Sequence, residues 1–444
     1  MNRIASTALL TSSLAVVLAS CSQRQDPKAE GAPSAEPPAP ASPTPKNLDG
    51  PPRGGDALAE AKAAGREPKR VQLAPLLHHQ REREQALSGV GPAPIVAEQV
   101  DGGWIIFVSE ESGTPAIHRM RSSAAEREPL TRGERTHFPV APLPGGDLLA
   151  IRVEELTADV HREELLRIRP DGAIQPIAEA SGRARSPSVA PDGRWLVYES
   201  DLESFRDLYR RDLEGGASER LTDNAEGNFE PAISPDGLRI AFASSRDGNA
   251  EIYLMNADGS EQRRLTDDER SDTAPSWSPD GSRLAFISAR DGSQRIHLLD
   301  AKDLESPGEL HPRRLTGDRD LLAEAEVAWS PHSDRIALLG VGERTTSLWV
   351  ADVQSGNLRR LTDDGALDQG PCWSPSGEHI AFASNRDGEL DIYRVSADGG
   401  APTRLTQTKG ADWLPRWIPE ASPSPKPAPS STTEAARATK SARG

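Results

Sequence analysis

The chain has 444 residues, with 52 Lys or Arg against 68 Asp or Glu, for a formal net charge of −16. That balance excludes a nucleic-acid binder built on clustered basic residues, and a basic patch resting on anionic lipid. Two cysteines supply neither a disulfide framework nor a four-thiolate zinc site.

Residues 1–20 carry one basic residue, Arg3, and then a short apolar stretch through Ala19. The run is too short to span a bilayer and has the proportions of a secretory signal. It ends Leu18-Ala19-Ser20-Cys21, which resembles the lipobox of bacterial lipoproteins. The resemblance implies cleavage before Cys21 and acylation of its thiol and new amino group. The chain is then expected as an exported lipoprotein in the periplasm, held at the membrane through Cys21. Ser22, a residue other than Asp after the cysteine, points to the outer membrane. Each buried methylene of the acyl chains contributes about 0.8 kcal/mol of anchoring. The alternative is a secreted protein cut nearby with Cys21 free. With Cys21 acylated, Cys372 is the remaining thiol, and it reads as a small buried filler. Residues 21–70 read as a disordered tether. Nine prolines fall between Pro27 and Pro52, and such a segment buries too little apolar surface to offset its conformational entropy. Residues 71–94 read as a linker that could hold a short helix.

Residues 95–419 are repetitive. Pro187-Ser-Val-Ala-Pro-Asp-Gly193, Pro231-Ala-Ile-Ser-Pro-Asp-Gly237 and Pro275-Ser-Trp-Ser-Pro-Asp-Gly281 are followed by related segments at Val327, Pro371 and Pro415, and preceded by Pro139. After each such turn comes an alternating strand, as in 239–244 and 379–384. A tight turn follows, Arg246-Asp-Gly248, Arg290-Asp-Gly292 or Arg386-Asp-Gly388, then a strand carrying Ile252-Tyr253, Ile296-His297 or Ile392-Tyr393, and a second turn leads to Arg-Leu-Thr. Asp-Gly between alternating strands is a hairpin signal, because Gly supplies positive φ. Four short strands in each repeat is the plan of a propeller blade. The third-strand motif recurs at Ile117, Leu165, Leu208, Ile252, Ile296, Leu348 and Ile392. An all-β, seven-bladed β-propeller of four-stranded blades is therefore predicted, with six or eight blades as the alternatives. The Pro415 segment is expected to pair with 104–109 and close the ring, although 95–98 could supply that strand instead. Residues 420–444 read as a disordered tail.

The pattern Trp-Ser-Pro-Asp-Gly, Arg-Asp-Gly, Ile-Tyr, Asp-Gly, Leu-Thr resembles the propeller repeat of the TolB family. The clearest copies are 231–266, 275–316 and 371–406. That family is similar in compartment and interaction chemistry to an envelope adaptor. The chain departs from it in lacking the family's N-terminal α/β domain and in its count of seven blades rather than six.

Most repeated residues have structural explanations: tryptophans 277, 329, 373 and 417 between blades, and Asp and Gly in turns. One position invites more. Near the start of each first strand stand Thr136, Ala184, Asn228, Asp272, Glu324, Asp368 and Asp412. Four successive carboxylates there, Asp272, Glu324, Asp368 and Asp412, could form an acidic rim at a channel mouth, with Asn228 and His137 beside it. Such a rim suits a basic segment of an envelope protein or peptide, or, as a weaker reading, Ca2+. Solvated loop acids would give the same pattern. No other cofactor is expected, and a monomer is. Between 95 and 419 there are 37 basic and 57 acidic residues, a balance of −20, with Lys302 and Lys409 the two lysines. No Gly-x-Ser-x-Gly elbow accompanies the propeller, and the nine histidines are dispersed. The chain is therefore expected to bind a protein or peptide without catalysis. The alternative is a propeller that binds a polysaccharide or small molecule, either without turnover or as a lyase or hydrolase. The 301–313 insertion is a candidate contact loop.

Overall fold

The computed structural model describes residues 102–419, apart from 125, 133–135, 158–159, 178–183, 202–204, 305–309 and 318–320. The expected signal peptide, Cys21, the tether, the 71–94 linker and the tail lie outside the described residues, as does the middle of the 301–313 insertion.

The described residues form seven four-stranded antiparallel sheets, the blades of a propeller. Blades 2 to 7 are each one continuous repeat, and their innermost strands are Thr136–Pro142, Ala184–Val189, Asn228–Ile233, Asp272–Trp277, Ala323–Trp329 and Asp368–Trp373. Blade 1 is composite. The C-terminal strand Asp412–Ile418 pairs antiparallel with Trp104–Ser109, from Trp104 opposite Ile418 to Ser109 opposite Asp412. The ring therefore closes as expected, with the Pro415 segment as the closing strand, and no blade edge is left open toward the seam.

Outside blade 2, the second strand of each blade is largely apolar on both faces because both face a neighbouring blade. Phe107, Phe242, Phe286 and Phe382 occupy the same place in it and are fully buried. Each stacks on the aromatic slot of the third strand, His118, Tyr253, His297 and Tyr393, at centroid distances of 5.7–6.0 Å. Burial, aided by the neighbouring arginines, holds the two histidines down at about 4, so they serve as neutral aromatic rings.

The innermost strands are not regular. In blades 3 to 7 and in the closing strand the register with the second strand shifts in mid-strand. At each shift one residue is left-handed: Ser186, Glu230, Ala274, Glu326, Gly370 and Leu414, with φ from 44° to 63°. These are β-bulges, and they take the bulged N–H out of the blade's own ladder.

Contacts between blades repeat around the ring. The Trp277, Trp329 and Trp373 indoles donate to carbonyls of the preceding blade, Ala232, Ser276 and Ala328, at 2.8–3.2 Å. Further out, arginines donate forward to turn carbonyls of the next blade: Arg167 to Leu213, Arg210 to Ala257, Arg313 to Val353 and Arg394 to Ser122, at 2.7–3.3 Å, with Arg263 to Leu304 in the same role. Arg210 also lays its guanidinium over the Trp195 ring, with Cζ 4.2 Å from the centroid.

Candidate functional site

One end of the propeller gathers the repeated polar residues. The first strand begins where the second ends, Asp272 opposite Ser288, and the third begins there too, Ser288 opposite Arg295. The connectors between blades and the Arg-Asp-Gly turns therefore share one face, here the connector face.

Each letter of Arg-Asp-Gly has a task on it. Arg290 donates to Ser288 Oγ (2.8 Å) and to Asp272 (2.6 Å). Arg386 does the same with Ser384 (3.0 Å) and Asp368 (3.1 Å), and Arg246 with Ser244 (2.9 Å) and Asn228 (3.0 Å). The aspartate accepts from the third-strand tyrosine, Tyr393 to Asp387 at 2.6 Å and Tyr253 to Asp247. The glycines sit at φ of 87° to 116°, where a Cβ is strained.

The Leu-Thr threonine is a clip. Thr266 Oγ1 accepts from Ile252 N at 2.9 Å and donates to Glu251 at 2.6 Å. Thr222 joins Leu208 N and Asp207 at 3.0 and 2.8 Å. Thr406 joins Ile392 N and Asp391 at 2.9 and 3.1 Å. In the next two cases the carboxylate comes from the following blade, with Thr316 donating to Glu324 and Thr362 to Asp368.

The carboxylates expected to form the rim are therefore inside the wall. Asn228, Asp272, Glu324 and Asp412 are 0% exposed, Asp368 1% and His137 3%. A partner on the surface does not reach them: Asn228 is met by Arg246, Asp272 by Arg290, Glu324 by Thr316, and Asp368 by Arg386 and Thr362. The structure brings each into contact with the preceding blade's third strand rather than with one another. At the 3/4 junction Asn228 donates to Asp207 at 2.8 Å. At 5/6, Arg295 faces Glu324 at 4.0 Å. At 4/5 and 7/1, two buried carboxyl groups lie within electrostatic reach of each other: Glu251 of Asp272, and Asp391 of Asp412. Burial pushes Asp272, Asp368 and Asp412 above the usual carboxylate range. Burial also lifts Asp391 to about 6, with Arg404 opposing the rise and Asp412 adding to it. Among the described residues, no group of three or more His, Cys, Asp or Glu side chains is placed to hold a metal ion. Cys372 sits in an innermost strand, and burial pushes its thiol up to about 11.

Exposed acids do mark this face, one residue beyond three of the five clips. Asp223, Asp267 and Asp363 follow Thr222, Thr266 and Thr362, and their side chains are 85%, 86% and 76% exposed. Each pairs with an arginine three residues earlier, at 2.7–2.8 Å. Arg220 and Arg264 also bind the buried Asp207 and Glu251. One guanidinium is thus shared between an inner and an outer carboxylate, and the outer position keeps net negative charge. The sequence signal was the Asp after Leu-Thr, which recurs in three blades.

The sequence model of the TolB beta propeller domain matches residues 171–307 and 315–423. An uncharacterized protein of Agrobacterium fabrum is 34% identical over 91 residues, covering 20% of this chain and 31% of that protein. The Tol-Pal system protein TolB of Desulfosudis oleivorans is 34% identical over 76 residues, 17% of this chain and 16% of that protein. The matches thus span less than a third of the length of these curated relatives. Among solved structures, an oligogalacturonate lyase of Vibrio parahaemolyticus superposes with a TM-score of 0.52 at 17% identity, over 65% of this chain and 85% of that one. That likeness is one of fold alone.

Proposed function

Since the chain belongs to the TolB beta propeller domain family, whose model covers more than half of it, we propose that it is a lipid-anchored cell-envelope protein whose propeller binds another protein or a peptide without catalysis. The observation that carries this reading is the set of equivalent, exposed aspartates on the connector face, Asp223, Asp267 and Asp363. They present repeated negative charge at fixed spacing on a rigid frame, which suits a partner segment bearing Lys or Arg. Asp272, Glu324, Asp368 and Asp412 support the reading indirectly, by fixing where the connectors start. Asn228 has the same part, and His137 is packed within the wall.

The test is calorimetry of the full chain with an Arg- and Lys-rich peptide, at low and high salt. Binding that weakens with salt and is lost in Asp223→Asn/Asp267→Asn/Asp363→Asn supports the proposal, while equal binding by parent and variant removes it. For the anchor, Cys21→Ala is expected to move the protein from the membrane fraction to the soluble envelope fraction. Retention in the membrane fraction would count against lipidation at Cys21.

A further inference from the structure

The bulges of the innermost strands form a relay around the axis. At three junctions a glutamate of one blade caps the bulged N–H of the next: Glu199 receives Glu230 N (2.7 Å), Glu230 receives Ala274 N (2.7 Å), and Glu326 receives Gly370 N (2.9 Å). Three independent copies show that this backbone position is shaped to receive a carboxylate.

At the 7/1 junction the bulge residue supplies no carboxylate, as is also so of Ala274 at the 5/6 junction. The bulge residue of blade 7 is Gly370, and a Cβ built there points at Pro415 Cδ (3.4 Å) and Leu414 Cα (3.8 Å). A side chain at 370 would thus run to the position that Glu326 fills one blade earlier. In the closing strand Trp413 pairs with Val108 and Arg416 with Ile106, which leaves Leu414 without a ladder partner. Among the described residues its N–H makes no hydrogen bond outside the ladder. Pro415 has no N–H to offer. Two residues on, Arg416 is part-exposed. Among the described residues its guanidinium makes no ion pair, and it turns back onto the Pro415 carbonyl at 3.0 Å. Glu326 and Cys372 lie within its electrostatic reach, but Glu326 is already engaged with Gly370 N.

We infer that the gap beside Gly370 is a binding site for a carboxylate carried by a ligand, held by the Leu414 N–H and the Arg416 guanidinium. The ligand group takes the place that Glu199, Glu230 and Glu326 fill at three of the other junctions. A backbone N–H and a guanidinium converging on one carboxylate are the strong, charge-assisted kind of hydrogen-bond donor. The chemistry is shared by the C-terminus of a peptide and by an acidic sugar. The inference stands apart from the proposed adaptor role, since it concerns the channel rather than the exposed aspartates.

The experiment is calorimetry on the full chain with three probes: N-acetylglycine, its uncharged amide, and glucuronate. At least one acid is expected to bind and the amide not to. Preference for N-acetylglycine identifies a peptide end, and preference for glucuronate an acidic saccharide. Arg416→Gln is expected to weaken the acid by about tenfold or more, the loss of a charged hydrogen bond. Gly370→Glu supplies the missing carboxylate from the chain itself and is expected to abolish binding. Gly370→Ala leaves the gap open and is expected to bind as the parent does. Melting curves establish that each variant is folded. Equal binding of acid and amide, failure of both acids to bind, or undiminished binding by folded Arg416→Gln and Gly370→Glu would each overturn the inference.

Discussion

The seam between blades 7 and 1 makes the stability of the ring depend on pH in an unusual direction. Asp391 is buried within electrostatic reach of Asp412, and its carboxyl is lifted from 3.8 to about 6. A folded-state value above the unfolded one means that the native state binds the proton more tightly. The contribution is fully present below about 4, and is lost as pH rises through about 6. At pH 8 the displacement corresponds to about 3 kcal/mol of destabilisation relative to an unperturbed group. The upward displacements of Asp272, Asp368 and Asp412 act in the same sense. The perturbation to make is Asp412→Asn, because the 3/4 junction already shows the product: Asn228 donates its amide to Asp207 at 2.8 Å. Burial remains the largest cause of the Asp391 displacement, so the variant recovers only part of the penalty, on the order of 1 kcal/mol at pH 8. Thermal melts from pH 4.5 to 8 are the assay. His118 and His297, held at about 4, push stability the other way in both chains, so the seam is read in the difference: the variant is expected to gain on the parent as pH rises through that range and to melt a few degrees higher at pH 8. A variant that melts lower than the parent at pH 8, or keeps the parent's slope, would refute the reasoning.

Thr266→Val keeps the shape of the clip and removes its hydroxyl, leaving Ile252 N and Glu251 without their shared partner; a loss of about 1–3 kcal/mol is expected by urea titration. Phe382→Ala opens a cavity in a fully buried site stacked on Tyr393 and should cost about 3–5 kcal/mol in the same assay. With Cys21 replaced by Ser, the high pKa of Cys372 (about 11) predicts that iodoacetamide at pH 8 labels the native chain hardly at all and the unfolded chain readily.

The number of blades and the closing strand were legible because both rest on local chemistry: Asp-Gly turns, alternating second strands, and an unpaired eighth copy of the first strand. The bulges were not legible. Glu230, Ala274, Glu326 and Leu414 take a left-handed backbone that none of these residue types announces, and only Gly370 hints at it. Asp272, Glu324, Asp368 and Asp412 looked like a rim because a repeated acid in a connector is usually solvated. Their burial depends on donors from elsewhere in the repeat, the arginine of Arg-Asp-Gly and the threonine of Leu-Thr. That co-occurrence was present in the sequence, but each motif had a sufficient local explanation of its own. Blade 5 is instructive, because Arg295 takes the place held by Asp207, Glu251 and Asp391 in blades 3, 4 and 7, and Glu324 then faces a cation.

The composite first blade also sets an order of events in time. Trp104–Ser109 emerges early in synthesis, yet its inner partner Asp412–Ile418 emerges roughly 300 residues later, or about 15–60 s at usual elongation rates. Until then, blades 2 to 7 can stack pairwise from local contacts, while the first sheet waits with a bare inner edge. The last step of assembly is thus the docking of one short strand, the same strand that brings Asp412 against Asp391 and places Leu414 and Arg416 beside Gly370. A chain stalled before that step would carry a nearly complete ring, an unsheathed strand prone to pairing with a neighbour, and no finished seam.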